Sequence, residues 1–146
     1  MITVLFICED NTRLGQLAET YANVAGNGVL RAFSAGVAPA SAIDPCVPAL
    51  LARHGLSSAG LEPKSLDIFL MPHAPIADRI ICLGDDLAVQ LATGDFPLDM
   101  SAVDVWQMRT RPSCLQDRLS GEDQFRHLCW RIDEMLRAMP VIVPAA

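Results

Sequence analysis

Residues 6–19 read FICEDNTRLGQLAE, and this stretch decides the fold. It starts inside Ile2–Cys8, a continuous apolar run with β-branched residues, which predicts a strand covered on both faces, as in a parallel sheet. Apolar side chains then recur at helical spacing over Gln16–Ala25, and Gly26 marks the end of that helix. A strand, a short loop and a helix in this order predict the first part of a βαβ unit.

Strands and helices alternate along the rest of the chain. Because parallel strands need crossover connections, this alternation predicts right-handed βαβ units and an open sheet. We therefore expect one α/β domain over residues 1–146, a three-layer arrangement with an open parallel four-stranded sheet and helices on both faces. The further strands are predicted over Val29–Ser34, Arg79–Leu83 and, with interruptions by Pro97 and Asp99, within Phe96–Val103.

Three further helices are predicted from end signals and periodicity. Asp44 and Pro45 open the first of them, as N-cap and first helical residue, and Gly55 stops it. A short helix follows over Asp85–Ala92. In the last helix, Ser120 and Asp123 form a capping box, and Pro140 ends it. The inner face of the first comprises Val47, Leu50, Leu51 and His54, and that of the last Phe125, Leu128, Cys129, Ile132, Met135, Leu136 and Met139.

Composition excludes several classes of protein. The 17 acidic residues outnumber the 11 basic ones, for a net charge of −6, which argues against a nucleic-acid binder. No apolar stretch reaches the roughly 18 residues of a membrane span, and no secretory signal precedes the first strand, so the cytoplasm is the expected compartment. The five cysteines are odd in number and widely spaced, which argues against a disulfide scaffold or a zinc site.

Cys8 lies where chemistry is expected in such a sheet. Ligands of open α/β sheets bind beyond the carboxyl ends of the strands, and a helix that begins there adds the positive end of its dipole. That environment favours a thiolate, which can attack phosphorus in a phosphomonoester while Arg13 holds the oxygens and a distant acid protonates the leaving group. The alternative is that Cys8 is only the last buried residue of its strand.

Residues 3–19 resemble the low-molecular-weight protein tyrosine phosphatases and the arsenate reductases of the same fold. That family carries V-L-F-x-C-x-x-N-x-C-R-S-x-x-A-E here, and this chain matches it without a gap at Val4–Cys8, Asn11 and Ala18–Glu19. Later landmarks follow in the family's order. These are Ser34-Ala35-Gly36, Asp44-Pro45, His54-Gly55, Lys64-Ser65-Leu66-Asp67 and Asp104-Val105-Trp106.

The resemblance implies a phosphatase-type domain that hydrolyses phosphotyrosine or another phosphomonoester through a cysteinyl-phosphate. It implies Cys8 as nucleophile, Asp104 as general acid, with Asp99 as its rival, and Trp106 as a pocket wall. No metal and no organic cofactor are expected. The expected partner is a phosphoprotein or a small oxyanion such as phosphate, with no nucleic acid and no membrane. The anion-binding loop would comprise Glu9, Asp10, Asn11, Thr12, Leu14 and Gly15, and Arg13 would be the clamp if the loop is one residue shorter than in the family.

The loop departs from the family pattern at several positions. The family has five residues between cysteine and arginine, whereas here four precede Arg13, so the ungapped register puts Leu14 at the arginine position and Gly15 at the serine position. A one-residue deletion would instead make Arg13 the clamp. Asp10 replaces a glycine, and with Glu9 it adds negative charge beside the site, which disfavours both thiolate and phosphate.

These departures leave three functions open. The first is phosphomonoester hydrolysis, and the second is a catalytically impaired module on the same fold that binds an anion or a protein. The third is arsenate reduction, for which thioredoxin-dependent members of the family carry a resolving pair of cysteines after the third strand. Cys82 lies near the first position of that pair, but Val89 stands at the second, so Cys82 is expected to be a core residue.

Overall fold

The computed structural model describes residues 1–94, 100–108 and 117–139. Its strands are β1 (Ile2–Cys8), β2 (Leu30–Gly36), β3 (Arg79–Leu83) and β4 (Val103–Trp106). A 3₁₀ turn at Met100–Ala102 precedes β4. Its helices are α1 (Leu14–Ala25), α2 (Cys46–Arg53), α3 (Leu66–Phe69), α4 (Asp85–Thr93) and α5 (Asp117–Ala138).

The strands form one parallel sheet in the order β2-β1-β3-β4. Strand β1 is central because its apolar run is buried on both faces, with Val4, Phe6 and Ile7 wholly inaccessible to solvent. The chain leaves β1 toward β2 on one side and later returns to β3 on the other. The carboxyl end of β1 is therefore the point where the direction of winding reverses, which is where ligands bind in such sheets.

Two apolar cores lie on opposite faces of the sheet, so the predicted three-layer α/β architecture is confirmed. On one face Phe6 packs with residues of α1, α2 and α5, and its ring meets the Trp106 ring edge to face at 5.8 Å. On the other face Ile7 packs with residues of α3, β3 and α4. The predicted stripe of α5 is buried or half-buried along its length and faces the first of these cores.

Several helices and strands have bounds that differ from the predicted ones. Helix α1 begins at Leu14, two residues early, and β2 extends to Gly36. Helix α5 begins at Asp117, so Ser120 lies inside it and the predicted capping box there is wrong. Strand β4 lies later than predicted, at Val103–Trp106, because its pairing is set by β3, which sequence periodicity does not see.

The ends of α2 and the start of α3 show local capping. Pro45 is the N-cap of α2, and Asp44 acts one residue earlier by accepting the Cys46 N–H at 2.9 Å. His54 does not lie in the core as predicted; it is exposed, contacts the Phe125 ring and bonds to Glu122 at 2.7 Å. The one-turn helix α3 was not predicted, although Ser65 caps it by accepting the Asp67 N–H.

Within the described ranges, none of the helices combines the length and the apolar character that a membrane crossing requires.

Candidate active site

The loop after β1, residues 8–15 and here called the Cys8 loop, is held on one side by β2 and the segment after it. The carbonyl groups of Cys8, Glu9 and Asp10 accept amide hydrogen bonds from residues 37–40 at 2.8 to 3.2 Å. Gly36 lies against the loop so closely that a Cβ there would be 2.8 Å from the Glu9 carbonyl oxygen. These contacts hold the first half of the Cys8 loop against β2 and the segment that follows it.

The Cys8 sulfur lies against the end of its own loop, since a Cβ on Gly15 would be 2.8 Å from it. The backbone groups of Gly15 and Asn11 lower the pKa of the thiol. The thiol itself is 6% exposed and donates toward the Asn11 side-chain oxygen at 3.5 Å and the Ala35 carbonyl at 3.7 Å. The sulfur therefore sits in a ring of polar groups at the end of β1.

The electrostatics of this ring favour the neutral thiol. Burial is the largest influence and raises the pKa of Cys8 to about 12, while the Gly15 and Asn11 amides lower it by less. Asp10 and Cys82 raise the pKa further by charge repulsion. The sequence-based expectation that this environment favours the thiolate is wrong, because the Gly15 and Asn11 backbone groups do not compensate for the hydration that the thiol loses on burial.

Asn11 carries the sharpest backbone turn of the loop. It is fully buried, and its φ of 57° makes it the single non-glycine residue with positive φ among the described residues. Asparagine tolerates this left-handed region better than most residues. Asp10 stands where the family has glycine, but its φ is not positive. The strain that was expected from this substitution is therefore absent from the main chain.

Asp10 instead uses its side chain. One carboxylate oxygen, Oδ1, accepts the Thr12 N–H at 3.1 Å and the Thr12 hydroxyl at 2.9 Å. Glu9 and Asp10 are both exposed, so the solvent-facing rim of the Cys8 loop is acidic.

Arg13 and Leu14 are the two candidates for the family's arginine position, and the contacts of both lie away from the Cys8 sulfur. The Arg13 guanidinium pairs with Asp44, with 3.5 Å between Nε and Oδ2, and its Nη1 lies beside Gly121 of α5. Leu14 begins α1 and packs against the core shared by α1 and α5. Arg13 therefore ties the start of α1 to the segment before α2 and the first turns of α5.

Gly15 leaves no room for the family serine. A Cβ at Gly15 would be 2.8 Å from the Cys8 sulfur and 2.7 Å from the Asn11 side-chain oxygen. Three buried polar atoms nearby have no hydrogen-bond partner among the described residues: Asn11 Nδ2, Gln16 Oε1 and Ser34 Oγ. The chain thus keeps polar groups around the sulfur but lacks the hydroxyl that the resemblance places among them.

Asp104 and Trp106 lie on the edge strand β4. Trp106 pairs with Leu83, at the end of the sheet where Cys8 lies, and it is buried under Arg131, whose guanidinium carbon is 5.0 Å from the ring centroid. Asp104 is exposed and pairs with Ile81, two residues further back along the strand. Its rival Asp99 lies outside the described residues.

Cys82 is fully buried in β3, and its thiol lies 3.5 Å from the Gly84 carbonyl oxygen. Val89 is 64% exposed on α4, at the position where a second resolving thiol would stand. Among the described residues, no group of three or more His, Cys, Asp or Glu side chains is arranged to hold a metal ion.

Glu19, Ser34 and Lys64 form a buried support beneath the Cys8 loop, and this structural role was not predicted. Glu19 accepts the Ser34 N–H at 3.0 Å and pairs with Lys64 at 3.3 Å, which ties α1 to β2 and to the segment before α3. The sequence does single out these residues, since Glu19, Ser34 and Lys64 all belong to landmarks of the resemblance. Their joint role was invisible because the three residues are distant in sequence.

No protein-family model matches the chain, and no curated protein matches it by sequence. Solved structures do match. The low-molecular-weight protein tyrosine phosphatase of T. tengcongensis superposes with a TM-score of 0.79 and 18% identity, over 95% of this chain and all of that one. An arsenate reductase in a phosphate-binding state gives 0.76 and 19%, over 96% and 100%.

A third match is the tyrosine phosphatase Wzb of Escherichia coli K30, in complex with sulphate, with a TM-score of 0.75 and 13% identity over 94% of this chain and 98% of that one. These coverages are nearly complete in both directions, while the identities are low. The resemblance seen in the sequence is therefore confirmed as a shared architecture, and the chain has the fold of the low-molecular-weight tyrosine phosphatases and arsenate reductases.

Proposed function

We propose that this protein is a binding module built on the phosphatase fold, and that it does not hydrolyse phosphomonoesters. The observation that carries the proposal concerns Leu14 and Arg13, the two candidates for the family's arginine position. Leu14 takes that position in the ungapped register and packs, half-buried, against the core, and the guanidinium of Arg13 is paired with Asp44. Without a cation on the transferring phosphoryl group, the charge that develops in the transition state lacks its main partner.

The protonation of Cys8 supports the same proposal. A cysteine nucleophile acts as its thiolate, and burial raises the pKa of this thiol to about 12. At neutral pH the thiol is a hydrogen-bond donor to Asn11, which is the reverse of the role that catalysis requires.

A phosphatase is the second candidate, because Cys8 keeps its place at the end of β1 and polar groups of Asn11 and Ala35 surround its sulfur. In that case Cys8 would attack phosphorus, Arg13 would leave Asp44 to bind the phosphoryl oxygens, and Asp104 would protonate the leaving oxygen. Arsenate reduction has less support, since the exposed Val89 offers no thiol to resolve a disulfide at Cys82. Under each candidate the cytoplasm remains the proposed compartment, and a protein or a small oxyanion the proposed partner.

Hydrolysis of an aryl phosphate distinguishes the binding module from the phosphatase. The wild-type protein and Cys8→Ser are assayed side by side at the same purity, and Asp104→Asn serves as a second probe of the mechanism. We expect the wild-type rate to equal that of Cys8→Ser. A wild-type rate that both substitutions lower would overturn the proposal in favour of the phosphatase.

A further inference from the structure

We propose that the backbone edge of β4 binds an extended segment of a partner protein, which joins the sheet as an added strand and carries basic and β-branched side chains in alternation. The inference rests on the proposed function, a binding module, and deepens it by naming the form and the chemistry of its protein partner. It is argued from the contrast between β2 and β4, the two edge strands of the sheet.

The edge of β2 is closed by groups that lie outside the sheet. Four alternate N–H groups of this strand donate to such groups at 2.8 to 3.0 Å. The donors are Leu30, Ala32, Ser34 and Gly36, and their acceptors are, in the same order, the Gly26 carbonyl, Asn23 Oδ1, Glu19 Oε1 and the Lys64 carbonyl. The Asn23 side chain also donates to the Ala32 carbonyl at 3.0 Å. A further strand therefore finds no free donors along β2.

The edge of β4 has no comparable cover. Within the part of the chain that the structure describes, no hydrogen bond joins the backbone of Val103–Trp106 to a side chain or a segment outside the sheet. Asp104 is exposed, and Val105 is 39% exposed. An accessible edge with unpaired backbone groups is a template for another extended chain, because only such a chain presents donors and acceptors at the spacing of a strand.

The side chains of β4 define the chemistry of that added chain. Successive side chains point to opposite faces of a sheet, so Asp104 shares the face of Trp106 and Val105 shares the face of Val103. Asp104 forms no ion pair with another described residue. Opposite charges and β-branched pairs stabilise neighbouring strands. The segment that fits therefore places a basic side chain beside Asp104 and β-branched side chains beside the two valines.

The charge also distinguishes a partner protein from a second copy of this chain. Each copy has a net charge of −6, and pairing of two β4 edges would bring the exposed Asp104 of one copy near the Asp104 of the other. Charged side chains on an edge strand oppose this kind of self-pairing. The occupant is therefore a segment of opposite charge that belongs to another protein.

The test follows the backbone amide signals of the full chain by NMR while a capped hexapeptide is added. One peptide alternates lysine and valine, a second alternates glutamate and valine, and a third alternates lysine and proline. The third has the charge of the first but lacks alternate N–H groups and cannot pair as a strand, so it measures general attraction to an acidic protein.

We expect the lysine–valine peptide to bind saturably, to shift the amide signals of β4 and to leave those of the closed β2 edge unchanged. The other two peptides should bind at least about tenfold more weakly. Absence of saturable binding, shifts centred on β2, or equal affinity for the lysine–proline peptide would overturn the inference. Self-association of the wild-type chain through β4, measured by sedimentation and the same amide signals, would assign the edge to a second copy and also overturn it.

Two variants with the same net charge separate the edge from the overall charge. Asp104→Lys reverses the charge on β4, and Asp123→Lys reverses an exposed charge on α5 instead. Asp104→Lys should weaken binding of the lysine–valine peptide about fivefold, and Asp123→Lys by less than about twofold. Thermal unfolding verifies that both variants fold, and an equal loss in both would contradict the role of Asp104. Wild-type hydrolysis of an aryl phosphate would instead overturn the proposed function, so the two failures are distinguishable.

Discussion

The buried support of the Cys8 loop and its solvent-facing rim differ in how closely they follow the family pattern. Beneath the loop, Glu19 bonds to the Ser34 amide and to Lys64, all within landmarks of the resemblance. On the rim Asp10 departs from the pattern, and at the start of α1 Leu14, which packs against the core, stands where the family has arginine; both change the charge that the loop offers. The difference teaches that the shape of the loop and its chemistry depend on separate residues, so one can persist while the other changes.

The largest effect is expected when the support is broken. Glu19→Ala should lower the free energy of unfolding by about 3 kcal/mol, because it leaves the buried Ser34 amide unpaired and Lys64 without its partner. Urea denaturation measures the change. Glu19→Gln is the control, since it keeps an oxygen acceptor for the amide and should cost less. If Glu19→Ala costs no more than Glu19→Gln, the buried contact does not stabilise the fold as argued.

The second effect concerns Gly15, which lies in the Cys8 loop against the sulfur. Gly15→Ser should lower the free energy of unfolding by about 2 kcal/mol, because its Cβ would overlap the Cys8 sulfur and the Asn11 oxygen and force both to move. Gly121→Ala in α5 is the matched control, since its Cβ would meet Arg13 Nη1 at an ordinary 3.7 Å. That control should be neutral or stabilising, and an equal loss in both variants would show that the crowding at Gly15 is unimportant.

The third prediction restores the residues of the family pattern at positions 10 and 14. Leu14→Arg combined with Asp10→Gly supplies a cation and frees the Thr12 amide, so aryl phosphate turnover should rise about tenfold or more above that of the same protein with Cys8→Ser added. Steady-state rates measure this effect. Each single substitution should give less than the pair. A double variant as slow as its Cys8→Ser version would mean that the residues at positions 10 and 14 do not limit the chemistry.

The smallest effect is a pH dependence of stability. The folded state raises the pKa of Cys8 from 9.0 to about 12, so above pH 9 the unfolded chain releases this proton first. The stabilisation of the neutral thiol is therefore complete below pH 9 and falls as the pH rises toward 12, with a loss of about 1 kcal/mol near pH 10. Urea denaturation at pH 7 and near pH 10 measures it. Cys8→Ala should show a smaller loss, and an identical loss would place the effect elsewhere.

Much of the fold could be predicted from local patterns. The bounds of β1 and β3 are those expected, because each is an apolar run ended by a charged or glycine-containing segment. Strand β4 was misplaced, since its pairing with β3 decides which residues extend. The start of α5 was also misplaced, because the helix continues through the residues that resemble an N-cap.

The candidate site was predictable in its residues but not in their contacts. Cys8 at the end of the first strand and the unusual spacing to Arg13 are visible in the sequence. The pairing of Arg13 with Asp44 is not, because these residues meet only when the segment before α2 folds against the loop. The direction of the Cys8 pKa shift was likewise hidden, since it depends on how deeply the sheet and its helices bury the sulfur.

Local patterns in the chain were enough to establish the architecture and the position of the thiol within it. Apolar runs and helical spacing depend on local hydrophobic patterning, which survives at 18% identity to a protein of the same fold. The direction of the Cys8 pKa shift and the partners of Asp10 and Arg13 depend instead on the folded arrangement. Burial and hydrogen bonding are properties of the groups that surround an atom, and those groups come from segments far apart in the chain.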